Sequence, residues 1–235
     1  MKKLGILGGM GPLATQLLYK MIIENTVASK DQEHIDMIIL NHSTIPDRTE
    51  AIKSGNVEKI LGILTDDAKF LEKGGCTSIA IPCNTSHYFY DKIQEKVNFP
   101  IINMIHAAIE SVKEKKSDIK RVGILATDGT VYSDIYRKEC EKFGIEAIYP
   151  DPETQKIVMD IIYNQIKKGE KGNLEDFEKI DDYLKKAGCE GAVLACTELS
   201  CFKENHNLSE FYTDALESLC KKSIIMCDGT LKGDI

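Results

Sequence analysis

Six short apolar runs recur along this chain: "KLGILGG", "IDMIILNH", "TSIAIPCN", "RVGILAT", "IEAIYP" and "EGAVLACT". They lack the strict apolar/polar alternation of half-exposed strands, so they read as strands covered on both faces, and longer helix-periodic stretches separate them. One such stretch, "VEKILGILTDDAKFLEKGGC", carries apolar residues at helical spacing and ends in a Gly-Gly stop. Strands and helices taken in turn imply an α/β fold built on parallel sheets. The 235 residues, 43% of them hydrophobic, suffice for one large domain or two small ones.

The chain also resembles itself. "KKLGILGGMGPLAT" (2–15) aligns with "KRVGILATDGTVYS" (120–133), and "TSIAIPCNTSHYF" (77–89) with "CEGAVLACTELSCF" (189–202), at offsets of 118 and 113 residues. Nearly equal offsets imply a duplicated unit: two pseudo-symmetric lobes, each a parallel sheet flanked by helices, lending equivalent strand ends to a cleft between them. Ligands of open α/β sheets bind beyond the carboxyl ends of the strands, where all four segments lie. The expected division is a first lobe of residues 1–98 plus 209–235 and a second of residues 99–208. Pro100 marks the break, and the final helical stretch, "SEFYTDALESLCKK", is expected to cross back onto the first lobe. The closing "IIMCDGTLKGDI" reads as a short tail.

A formal net charge of -7 argues against nucleic acid or an anionic membrane as partner, since both require a cationic surface. A small acidic ligand needs only a few local cations, and the chain has just three arginines, Arg48, Arg121 and Arg137. No apolar run approaches the roughly 18 residues of a membrane span. Glycine interrupts "MKKLGILGGM" too early for a signal peptide, so a cytoplasmic protein is expected. Eight cysteines without C-x-x-C or zinc-finger spacing read as reduced thiols, neither a disulfide scaffold nor a metal site. The G-G-M-G turn lacks the G-x-G-x-x-G spacing of a dinucleotide loop.

A free cysteine is usually a small inert hydrophobe. Cys83 and Cys196 differ in context: each follows an apolar strand, each precedes a polar step, and each falls at the matched point of the duplication. A helix starting just after either one would favour its thiolate through backbone N–H groups and the positive dipole end. One thiolate and one thiol on opposite walls of a cleft suit inversion of a stereocentre, in which one group removes a proton and the other returns one to the opposite face.

Six segments in this order, "GILGGMGPLAT", "IPDR", "PCNTSH", "ATDGT", "IYNQIKKG" and "ACTEL", resemble the cofactor-independent aspartate/glutamate racemase superfamily, its aspartate racemase branch in particular, over nearly the whole chain. The resemblance implies that Cys83 and Cys196 are the catalytic acid/base pair, working without pyridoxal phosphate or metal. It implies that Met10, Asn84 and Thr85 from one lobe, and Thr127, Gly129, Thr130 and Thr197 from the other, bind the substrate's α-carboxylate. Arg48 matches the ligand of the side-chain carboxylate, a role its planar fork suits. Lys167 falls where a lysine serves the same end, with a solvated charge in a lysine-rich helix as the plain alternative. Homodimers are expected by the same resemblance, as is a small acidic amino acid as substrate.

Glu198 is placed either to orient and tune Cys196 or merely to complement a helix dipole. His87, four residues past Cys83, either faces the site or packs, and His34, His42, His106 and His206 read as structural. Glutamate racemases typically carry Asp-Ser in the first loop and His after the second Cys-Thr. This chain has "GGMGP" and Glu198 there, which disfavours glutamate. Broader racemisation, a maleate-type isomerase, a hydantoin racemase and a two-lobed sensor without catalysis stay open as alternatives.

Overall fold

The computed structural model describes residues 2–233. Its first half runs β1 (Lys3–Gly8), α1 (Pro12–Asn25), β2 (Asp36–Asn41), α2 (Arg48–Ser54), α3 (Glu58–Lys73), β3 (Ser78–Ala80), α4 (Tyr90–Gln94) and α5 (Met104–Lys115). The second half runs β4 (Arg121–Leu125), α6 (Asp128–Ser133), α7 (Ile135–Lys142), β5 (Glu146–Ile148), α8 (Pro152–Asp160), α9 (Leu174–Lys186), β6 (Gly191–Leu194), α10 (Thr197–Asn205), β7 (Tyr212–Asp214) and α11 (Ala215–Met226). The strands make two all-parallel sheets, in the orders β2-β1-β3 and β5-β4-β6-β7. The fold is the two-lobed α/β arrangement that the apolar runs imply.

The absence of alternation has a direct cause in β1. Leu4 and Ile6 enter one core and Leu7 another, and all three are fully buried, so neither face of the strand tolerates polar residues. In α3 the buried residues Ile60, Leu64, Ala68 and Leu71 lie along one helical stripe. That helix stops at Gly74, and Gly75 takes the left-handed φ of +81° that turns the chain toward β3.

The halves are interleaved by their last helices. Ile101 forms a parallel bridge with Ile79 and so extends the first sheet, after which α5 leaves to pack on α7, β6 and β7 of the second. Likewise β7 pairs with β6 in the second sheet, after which α11 crosses to α1 and β3 of the first, packing on α5 as it goes. The chain therefore changes lobes only after completing each sheet's edge. Ile101 thus sits with the first sheet and Tyr212–Asp214 with the second. The tail folds back against the end of α1, where Val27 N–H donates to the Thr230 carbonyl at 2.8 Å; Asp234 and Ile235 lie outside the described residues. Among the described residues no helix is long and apolar enough to cross a membrane.

Asp214, at the end of β7, ties this crossing to α10. Its Oδ1 accepts from Leu216 N–H at 2.8 Å, capping α11, and from Ser200 Oγ at 2.6 Å. Burial, and then the neighbouring Glu217, raise its pKa from 3.8 to about 6. A carboxyl whose pKa rises on folding binds protons more readily in the folded state, so the stability it supports falls as pH climbs through that interval and stays lower above it. Asp214→Asn keeps the Oδ1 acceptor and removes the charge. It is expected to raise stability above pH 6 by on the order of 2 kcal/mol, with the gain vanishing once acid protonates Asp214 in both states. Thermal denaturation over a pH series checks this, and equal midpoints for variant and parent above pH 6 would contradict it.

Candidate active site

Parallel strands deliver their carboxyl ends to one side of each sheet, and here those ends face each other. Beyond β3 the chain reaches Cys83, and beyond β6 it reaches Cys196; the two are similarly buried, at 5% and 6% exposed, and line one small hollow. Met10, Arg48, Asn84, Thr85, Thr127, Lys167, Thr197 and Glu198 line it as well, so ten of the residues singled out from sequence converge there. Its free volume is only about 10 Å³, room for about one water molecule. It adjoins an outer hollow of about 610 Å³ that shares Met10, Asp47, Arg48, Lys167 and Glu198 and is walled by apolar residues including Leu13, Ile45 and Ile166.

The helix starts expected after the two cysteines are unequal. Cys196 is the N-cap of the nine-residue α10, whereas Cys83 leads into a 3-10 turn at Thr85–Phe89 and then the five-residue α4. Only Cys196 therefore precedes a helix of any length.

The charges in the hollow are arranged in chains. Cys196 Sγ donates to Glu198 Oε2 at 2.9 Å, and Glu198 Oε1 meets Lys167 Nζ at 2.8 Å. Burial pushes the Cys196 thiol well above its ordinary pKa, and Glu198 pushes the same way, both as a charge and as hydrogen-bond acceptor, while Lys167 opposes them. For Lys167 burial works against the charge, yet Glu198 and the two cysteines outweigh it and its pKa rises. Its side chain is only 27% exposed, and Nζ stands 5.1 Å over the Tyr163 ring, so the alternative of a solvated lysine does not hold.

Arg48 is fixed by backbone. Nη1 donates to the carbonyls of Ile45 at 3.3 Å and Pro46 at 3.0 Å, and Nη2 to that of Met10 at 3.3 Å. Burial disfavours the guanidinium charge, but Cys83 and Asp47 lie close enough to raise its pKa in net. Its Nε is a buried donor with no partner among the described residues. The same holds for Nδ2 of Asn84, which is 2% exposed and whose Oδ1 accepts from Tyr136 Oη at 2.6 Å. A buried donor left unsatisfied costs about 1 to 3 kcal/mol, so two of them on residues lining one hollow make a lining suited to an anion.

Three candidates stand behind the wall instead of on it. Thr130 is fully buried and exchanges a hydrogen bond with Thr85 Oγ1 at 2.9 Å. Gly129 faces α2 across the lobes: a Cβ built on it would stand 2.7 Å from Thr49 Cα. The reason for glycine in "ATDGT" is thus a close approach of two backbones. His87 packs, with Nδ1 donating to the Cys83 carbonyl at 2.9 Å and Nε2 accepting from Met104 N–H at 3.0 Å. Burial lowers its pKa, so the ring is a neutral brace between Cys83 and the start of α5. His42 pairs with Asp67 and His106 with Glu139, each at 2.7 Å, and His206 meets the Lys171 carbonyl at 3.0 Å.

Sequence reasoning missed Asp47, Thr49 and Tyr163, which also line the hollow. Tyr163 Oη donates to Asp47 Oδ2 at 3.0 Å, joining the lobes above the cysteines. A signal existed for it: Tyr163, in the π-helical turn Ile161–Gln165, lies four residues before Lys167 in "IYNQIKKG", and both line the same hollow. Tyr136 carries no such signal. Among the described residues no group of three or more His, Cys, Asp or Glu side chains is placed to hold a metal ion. What the lining offers chemically is two thiols, two cations, two carboxylates and a set of hydroxyl and amide hydrogen-bonding groups around one small hollow.

Comparison with known proteins places this arrangement. Residues 7–211 match the model of the Asp/Glu/Hydantoin racemase family. The aspartate racemase of Picrophilus torridus is 30% identical, with a TM-score of 0.81 over 99% of this chain and 96% of that one. An aspartate racemase homologue from Pyrococcus horikoshii is 28% identical, with a TM-score of 0.76 over 97% of this chain and all of that one. The broad specificity amino-acid racemase RacX of Bacillus subtilis is 34% identical over 152 residues, 63% of this chain and 64% of the relative, so the match spans less than two thirds of that relative's length. With nearly nine tenths of its residues inside the family model and both sheets shared with solved relatives, the chain belongs to the Asp/Glu/hydantoin racemase family.

Proposed function

We propose that this chain is an amino-acid racemase that interconverts L- and D-aspartate by a two-base mechanism, with Cys83 and Cys196 as the bases. The observation that carries the proposal is the meeting of two cysteines, matched by duplication and delivered by separate sheets, on one hollow that also holds Arg48 and Asn84 with unsatisfied donors. One thiolate takes the Cα hydrogen as a proton, leaving its electron pair on carbon, and the other thiol gives a proton to the opposite face. Asn84, Thr127 and Thr197 receive the α-carboxylate. Arg48 receives the distal carboxylate, and Lys167 is a second cation of the same hollow that serves the same end. Developing charge on the substrate is met by donors already in place, which lowers the reorganisation the transition state requires.

The inner hollow admits no amino acid at about 10 Å³, so substrate enters from the outer one as the lobes part. That outer space is larger than an aspartate side chain needs and has apolar walls, which favours a second reading of broader range. One experiment addresses both. Enantiopure aspartate and glutamate are incubated separately in D2O, and optical rotation and deuterium at Cα are followed. Two bases give product that carries deuterium from the outset while recovered substrate stays protiated. Equal early labelling of both enantiomers would defeat the two-base mechanism, and comparable rates on glutamate would replace aspartate by the broader range.

A further inference from the structure

We propose that Glu198 is a positioning residue that keeps the resting proton on Cys196, so that Cys83 is the sulfur that takes the first proton from substrate. The catalytic meaning of this rests on the two-thiol reading above. The geometry does not. Cys196 Sγ stands 2.9 Å from Glu198 Oε2, and an ionised carboxylate can only accept, so the hydrogen between them belongs to sulfur. The other oxygen, Oε1, forms an ion pair with Lys167 Nζ at 2.8 Å.

The duplication sharpens the point. At the offset of 113 residues that superposes Cys83 on Cys196, Thr85 superposes on Glu198. Thr85 turns its hydroxyl to Thr127 and Thr130, at 3.0 and 2.9 Å, and Cys83 has Arg48 for its charged neighbour. Two thiols made equivalent by ancestry thus have opposite partners, a guanidinium on one side and a carboxylate on the other. The charged and titratable groups facing Cys196 are Glu198, Lys167 and Tyr163 of its own lobe, Asp47, Arg48 and Cys83 of the other, and buried Tyr136. Of these, Glu198 is the group that accepts its hydrogen bond.

In the step that follows, the Cα–H bond breaks toward the Cys83 thiolate, forming S–H there and leaving the pair on carbon. The Cys196 S–H then breaks to protonate Cα from the other face. The protein is left as Cys83 thiol and Cys196 thiolate, the form in which Glu198 opposes the anion, and proton exchange with solvent or turnover of the opposite enantiomer restores the resting form.

The test is alkylation of the full-length protein by limiting iodoacetamide over a pH series, with the rate at each cysteine read from its peptide mass. The two thiols are equally buried, at 5% and 6% exposed, so their relative rates report ionisation more than access. In the parent, Cys83 is expected to react ahead of Cys196 at neutral pH. Glu198→Gln is expected to speed Cys196 about tenfold or more, the equivalent of one pKa unit, with Cys83 little changed. Lys167→Met removes the opposing cation and is expected to slow Cys196. Shifts of opposite sign are something a loosened fold does not produce. An unchanged or slower Cys196 in Glu198→Gln, or faster labelling of all cysteines in both variants, would overturn the inference. Alkylation requires no turnover: if this pattern holds while Cα exchange is absent, the racemase reading falls and the proton placement stands.

Discussion

Cys83→Ala and Cys196→Ala are each expected to lower interconversion of L- and D-aspartate by about 1,000-fold or more, within the range that positioned acid–base groups supply. Each variant should stay folded. Both side chains are small, and losing a buried sulfur at a hollow's edge costs about 1 to 2 kcal/mol, well short of the stability of a domain this size. The single variants should also fail in different ways. Cys196→Ala keeps the base at Cys83 and so retains the ability to wash deuterium into the enantiomer that presents its Cα hydrogen to Cys83, without inverting it. Cys83→Ala should show the complementary exchange, more slowly, because its remaining sulfur faces a carboxylate. Chiral chromatography with mass detection in D2O resolves these outcomes. Turnover within about tenfold of the parent in either variant would rule out a two-base mechanism with these residues.

What the sequence discloses about this molecule follows from what its patterns encode. Burial on both faces is written into runs such as Lys3–Gly8, because every residue there meets one core or the other, and so strand type and the parallel sheets are legible. Duplication is likewise legible, and it places Cys83 opposite Cys196 without any knowledge of the cleft. Partnership between elements distant in sequence is not encoded this way. Lys167 and Glu198 lie 31 residues apart, each an ordinary helical charge by its neighbours, and only the packing of α10 beside the 3-10 turn Ile166–Lys168 brings them to 2.8 Å. Tyr136 reads as one aromatic in a short amphipathic helix, yet it is fully buried and sets the orientation of Asn84. The residues at which the chain changes lobes are hard to read from sequence for a related reason. A single bridging residue such as Ile101 completes a sheet through backbone hydrogen bonds, which leave no trace in side-chain pattern.

Gly129→Val is expected to leave secondary structure and thermal stability close to the parent while reducing racemisation by on the order of 100-fold. Gly129 is the second residue of the six-residue α6 and has no left-handed backbone, so a residue with a side chain is compatible with the helix itself. The cost arises across the lobes. Even its first side-chain atom would meet Thr49 at 2.7 Å from Cα and 2.9 Å from Oγ1, and a backbone atom cannot swing aside as a flexible side chain can. The start of α2 must therefore move off α6. Thr49 immediately follows Arg48, so the displacement passes to the guanidinium beside Cys83 and strains the Tyr163–Asp47 and Thr49–Thr127 contacts, at 3.0 and 3.2 Å, that join the lobes over the hollow. Catalytic geometry tolerates little of this: a misplacement of about 1 Å can cost two orders of magnitude in rate. Gly129→Ala should show a smaller loss of the same kind, since its single methyl requires a smaller shift. Circular dichroism, thermal melting and kcat measured on the same preparations separate a displaced lobe from a damaged one. Full activity in the valine variant would mean that the approach of α2 to α6 is not needed for turnover.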